Sequence, residues 1–128
     1  MVKTASDKWK DTILKYKKQC QTILQISSNI RYAGVINNYG RTLTGIIKPN
    51  LKPLLKSEEV KHEFFIISTL FSLRKDNVNS LGKLDHIVLK HSKVNIIVFQ
   101  KNDITFYVSI NSKEKSLEKI ISIIKKTI

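Results

Sequence analysis

Three histidines and one cysteine are the residues of this chain best suited to catalysis or metal binding, and their spacing argues against both. His86 and His91 stand five apart, in and just beyond a strand-like run, so strand alternation sends their side chains to opposite faces. His62 lies in a helical stretch with no histidine or cysteine at ligand spacing. Cys20 could be a nucleophile only with a base near it, and its place on the apolar stripe of an amphipathic segment makes it a small core residue instead. A single cysteine also excludes an internal disulfide framework and any all-cysteine metal site. The acidic pairs Asp7/Asp11 and Glu59/Glu63 have the i, i+4 spacing of a solvated helix face offset by lysines, which does not call for acid–base chemistry. Gly34, Gly40, Gly45 and Gly82 form neither a dinucleotide fingerprint nor a phosphate-cradling loop. The expectation is a protein that is not an enzyme and uses no cofactor or metal.

What remains is charge. The 128 residues carry a formal +13, with 20 lysines but only three arginines, Arg31, Arg41 and Arg74. Two readings compete. Abundant lysine, isoleucine and asparagine is what an AT-rich coding sequence produces without any binding role. The other reading is an electrostatic footprint for nucleic acid, anionic lipid or an acidic protein. Composition otherwise describes an ordinary globular domain, 41% hydrophobic and 26% charged, which excludes a disordered chain or a fibre. No apolar run is longer than the four residues of Ile96–Phe99, far short of the roughly 20 residues that span a bilayer, so no stable membrane insertion is expected. Lysines stud residues 1–19 where a secretory signal would need an apolar stretch, so a cytoplasmic location is expected.

The elements that position these residues follow from periodicity. Residues 6–27 read as a helix capped by Ser6, with Trp9, Ile13, Tyr16, Cys20, Ile23 and Leu24 as its buried stripe. Residues 30–36 and 42–47 flank Asn37-Asn38-Tyr39-Gly40 as a hairpin, with Gly34 and Gly45 marking a bulge or a close approach inside the strands. Two prolines stiffen the connection at 48–53. A second helix starts at Ser57 and runs to about Lys75. Val60, Phe64, Ile67 and Phe71 make one stripe on it, while Ile66, Leu70 and Leu73 make another roughly 125° away at ~100° per residue. Two apolar stripes mean burial on two sides, in a thick core or between subunits. A polar loop at 76–83 leads into three strands, 84–90, 94–100 and 104–110, joined by turns short enough for an antiparallel meander. A last helix over 113–126 turns Leu117, Ile120, Ile121, Ile124 and Ile128 inward. The order α-β-β-α-β-β-β-α closes naturally as a single α+β domain over residues 1–128, a five-stranded antiparallel sheet sandwiched by helices.

This order resembles the Roadblock (dynein light chain) domain of the longin and profilin-like group. The resemblance rests on the hairpin from Ile30 to Arg41, the long apolar helix after it, and the closing meander and helix. Short archaeal proteins look similar too, through Gly40-Arg41 in the turn and the acidic helix start Ser57-Glu58-Glu59. The likeness implies a homodimer paired through the central helix and the sheet edge, with Ile66, Leu70 and Leu73 at the dimer seam. It also implies an interaction platform for a small GTPase, a motor or a signalling assembly.

Charge is divided along the chain: residues 1–26 carry +4, 27–56 carry +5, 57–85 carry −1 and 86–128 carry +5. The central helix is therefore the one segment that is not basic. With the first and last helices together on the opposite sheet face, Lys8, Lys15, Lys18, Lys115, Lys119 and Lys126 would make a cationic surface, and Lys48, Lys52 and Lys56 a basic loop. The leading expectation is a protein-interaction and dimerisation module presenting that face to an acidic partner. The alternative is a sequence-tolerant nucleic-acid binder on the same face, with Tyr39 and Tyr107 as candidate stacking groups. An N-terminal helix lying on anionic membrane, and a small-ligand sensor with an apolar pocket, complete the options.

Overall fold

Ile30, Ala33 and Val35 turn to one side of a strand while Tyr32 and Ile36 turn to the other, and both sides are occupied by core. That double burial sets the architecture. A computed structural model describes residues 2–128. In chain order the elements are α1 (Ala5–Leu24), β1 (Ile30–Ile36), β2 (Thr42–Ile47), α2 (Ser57–Arg74), a 3-10 turn (Lys75–Asn77), the single turn α3 (Val78–Leu81), β3 (His86–Lys90), β4 (Val94–Lys101), β5 (Ile104–Asn111) and α4 (Leu117–Thr127). The five strands form one antiparallel sheet in the order β2-β1-β5-β4-β3, so the last strand in sequence is the middle of the sheet.

Helices α1 and α4 cover one face, with Cys20, Ile23, Ile120, Ile121 and Ile124 meeting Ile97, Phe106 and Val108 of the sheet. Helix α2 alone covers the other, through Phe64, Ile67 and Phe71 against Ile96, Val98 and Tyr107. Val94 to Phe99 is buried throughout, as a β-branched and aromatic interior strand must be. The β4–β5 connection is a two-residue turn with Asn102 and Asp103 both at positive φ (51° and 65°), which matches the twist of the strands it joins.

Several local expectations are corrected. Thr4, not Ser6, caps α1: its hydroxyl accepts from Asp7 N at 3.1 Å while the Asp7 carboxylate accepts from Thr4 N. Helix α1 stops at Leu24, not residue 27. Trp9 is 53% exposed. A 20-residue helix is ~30 Å long, more than a seven-residue strand of about 23 Å, so its first turns overhang the sheet. Residues 76–81 of the expected polar loop are helical, and the strand after them begins at His86 rather than residue 84. The final helix begins at Leu117 rather than residue 113. The Glu114 carboxylate holds the intervening turn, accepting from Ser27 Oγ (2.6 Å), Asn29 Nδ2 (3.3 Å) and Ser116 N (3.0 Å).

Two glycine features shape the α2 face. Gly34 and Gly45 are paired across β1 and β2, and the Tyr32 ring lies over both; a Cβ on either would stand 2.3 Å or less from the Tyr32 hydroxyl. Gly40 closes the hairpin at φ +78°, where its Cα presses on the backbone of α2: a Cβ there would meet Phe64 and Phe65 main-chain atoms at 2.9 Å.

Gly40→Ala combines a strained φ with this main-chain clash and is expected to cost about 1–3 kcal/mol in urea unfolding; an unchanged midpoint would mean the hairpin tip does not seat on α2. Glu114's three hydrogen bonds hold its carboxyl below the usual carboxylate range, the Ser27 bond contributing most. A lowered folded pKa stabilises above the unfolded value and that stabilisation is lost as pH falls through the folded one. Thermal unfolding should therefore separate wild type from Glu114→Gln at pH 7, with the gap closing as the pH drops below about 4.

Candidate functional site

The chemistry-bearing side chains are placed in structural work. Cys20 is fully buried under the sheet, and burial pushes its thiol up to about 11. His86 packs beside Phe99 on the α1/α4 side and His91 lines the α2 side, so the two face opposite ways. Asp7 caps α1, Asp11 pairs with Lys3, Glu59 accepts from Lys56 N at 2.9 Å and Glu63 accepts from the Tyr107 hydroxyl at 3.1 Å. Among the described residues no three histidine, cysteine or acidic side chains come together as a metal site. Tyr107 is buried against Tyr32 and Phe64, which removes it as a stacking group; burial, then the Glu63 carboxylate, drives its phenol strongly up. Burial also raises the Tyr32 phenol to about 12, reinforced by Cys20. Tyr39 stands exposed at the hairpin tip.

Three surfaces remain. The first is the outward side of α2. Its inner stripe is buried as the periodicity requires, but Ile66 (59%) and Leu73 (60%) of the second stripe are exposed and Leu70 is half-buried. Phe65, 61% exposed, joins them. It belongs to neither stripe on a helical wheel, sitting on the far flank of the outward side, and only the observed packing of Phe64, Ile67 and Phe71 shows that it faces out. Exposed Val78 and Leu81 carry the apolar character past the helix end. A cluster of large exposed side chains on one helix marks an interaction face. Beside α2 on the sheet, β3 pairs only with β4 and leaves its other edge open.

The second surface is cationic. Lys8, Lys15 and Lys18 of α1 and Lys115, Lys119 and Lys126 at α4 are all exposed, and the two helices share one face of the sheet. Among the described residues none of these six makes an ion pair. The basic loop divides: Lys52 and Lys56 are exposed, whereas the Lys48 ammonium donates to Ser27 O (3.0 Å) and Ser28 O (2.9 Å) and is committed to the loop after α1.

The third surface, which no sequence pattern points to, is a groove of about 860 Å³ between the first half of α2, the loop before it and the sheet. Its floor includes Tyr32, Ile96 and Tyr107, its walls Leu54, Val60 and Phe64. A register shift between Ile30 and Tyr32 falls at Arg31, which lines the groove and whose guanidinium donates to Lys52 O at 3.1 Å.

A doubly covered five-stranded sheet of this order, with one long helix alone on one face, defines the Roadblock fold. Solved structures bear this out. The chain is similar to the gliding protein MglB from Thermus thermophilus (TM-score 0.74, 12% identity, 99% of this chain and 88% of that one). It is similar also to a Roadblock/LC7 domain from Streptomyces avermitilis (TM-score 0.61, 12% identity, 85% and 91% covered). A third likeness is to MglB in a tetrameric arrangement (TM-score 0.68, 10% identity, 88% and 82% covered). No family model matches the sequence, and no curated protein matches it significantly.

Cys20 should resist a thiol reagent such as DTNB at pH 8 in the native protein and react fully once denaturant unfolds it. Rapid labelling of the folded chain would reopen a nucleophilic role.

Proposed function

We propose that this protein is a non-enzymatic interaction module that self-associates through the outward side of α2. The observation that carries this reading is the exposed apolar set Phe65, Ile66 and Leu73 with half-buried Leu70, on the one segment of the chain that is not basic. Lysines elsewhere would repel a second copy; none stands among Phe65, Ile66, Leu70 and Leu73. The open edge of β3 gives a second copy a strand to pair with alongside the helix. The likeness to an MglB described as tetrameric supports self-association as a use of this fold. With the α2 faces joined, the lysines of α1 and α4 would face outward and offer a docking surface to an acidic partner, of which a small GTPase or a signalling assembly is the proposed kind.

The test is sedimentation velocity across a concentration series. Wild type is expected to run as a dimer or larger, and Ile66→Glu/Leu73→Glu as a monomer with an unchanged circular dichroism spectrum, since both positions are exposed in the single chain. A monomeric wild type, or a double variant with the wild-type oligomer, would reject the α2 interface.

The six lysines of α1, α4 and the turn before α4, which make no ion pair among the described residues, favour one second reading, a sequence-tolerant nucleic-acid binder. It requires binding to generic DNA or RNA whose affinity falls steeply with salt. Absence of micromolar binding near physiological salt would dismiss it.

A further inference from the structure

The groove beside α2 combines size with a divided lining. It is large, about 860 Å³, near the upper part of the roughly 300–1,000 Å³ range of small-molecule sites. It is also apolar inside and basic around its edge. Tyr32, Val60, Phe64 and Ile96 supply the interior, while Arg31, Lys61, His91 and Lys93 line it as well. The one acid in the lining is Glu63, and its carboxylate already accepts the Tyr107 hydroxyl. Lys61 and Lys93 are exposed and, among the described residues, make no ion pair; Arg31 reaches only a backbone carbonyl, which leaves its charge uncompensated.

The cations are also placed asymmetrically. Arg31 is the second residue of β1 and Lys93 the last before β4, so both sit at the same end of the sheet, where the loop from β2 climbs to α2 and Lys61 follows in the first turns of that helix. From there the lining runs along β2 to Gly45 and Thr42, away from that charge. A cationic end and an apolar run match a molecule with one anionic head and a hydrocarbon tail. A peptide would fit less well, because its backbone amides would lie unpaired against Val60, Phe64 and Ile96.

From this we infer that the groove is a binding site for an anionic amphiphile, a single acyl or alkyl chain ending in a carboxylate or phosphate. The head would meet Arg31, Lys93 and Lys61, and the tail would lie over Tyr32 and beneath Val60 and Phe64. The inference is independent of self-association, since none of these residues belongs to the outward set Phe65, Ile66 and Leu73.

Titration of the 15N-labelled protein with decanoate, decyl phosphate and 1-decanol tests it. Both anions are expected to bind saturably, at least 10-fold tighter than the alcohol, and to shift the amides of Tyr32, Val60, Phe64 and Tyr107. Whichever anion binds tighter identifies the head group. Lys61→Glu/Lys93→Glu should weaken the anions 10-fold or more and leave the alcohol within about twofold. Val60→Trp should fill the groove and abolish binding of all three. Ile66→Glu/Leu73→Glu should bind as wild type does, whatever its oligomeric state. The inference is overturned by the absence of saturable binding, by equal affinity for the alcohol, or by anion binding that survives the charge reversal. Shifts centred on α1 and α4 would overturn it as well, since they would assign the anion to the lysine face.

Discussion

A sheet whose interior strands are apolar on both faces has to be covered twice, and the rest of this structure follows from how unequally that is done. From Val94 to Phe99 every side chain of β4 is buried, and β5 is buried nearly throughout. Two helices share one face and a single helix serves the other. One helix is about 10 Å across, whereas five strands at about 4.8 Å spacing are roughly twice as wide. Helix α2 therefore seats its inner stripe on part of the sheet and leaves a gap beside it. Space under the loop before α2 and apolar side chains on top of α2 are two results of the same shortage of cover.

Electrostatics follows the same division. The two-helix face is complete, so its outer surface is free to be polar, and lysine fills it. The single-helix face is unfinished, and there the chain keeps Phe65, Ile66 and Leu73 in place of lysine. Lysine supplied by a compositional bias would also spare a buried stripe, but it has no reason to spare an exposed one. This outward stripe is where the +13 ceases to look indiscriminate.

Much of the fold was legible because local chemistry and periodicity agreed. The first hairpin has the strand limits the sequence implies, since Asn37 and Gly40 supply the turn and Asn37 Oδ1 accepts from the amides of Tyr39 and Arg41. The two stripes of α2 were likewise readable from spacing. Trp9 was misread because periodicity tells which side of a helix is apolar and says nothing of where the sheet beneath it ends. Leu117 was missed as a helix start because Glu114 is held by Ser27 and Asn29, residues more than 80 positions away. The groove had no sequence signature at all: its lining comes from α2, four strands and two connections, none of which is periodic with the others.

The place of β5 has a consequence for how the chain comes to be folded at all. It pairs with β1 on one side and β4 on the other, and neither hairpin pairs with the other directly. On a ribosome, which releases the chain from its N-terminus, β1–β2 and β3–β4 would emerge as two separate ribbons, each with one strand, β1 or β4, apolar on both faces. Only when residues 104–127 have followed them out of the exit tunnel can β5 slot between them and α4 close over Ile97 and Val108. Such late, long-range closure is slow and exposes sticky intermediates.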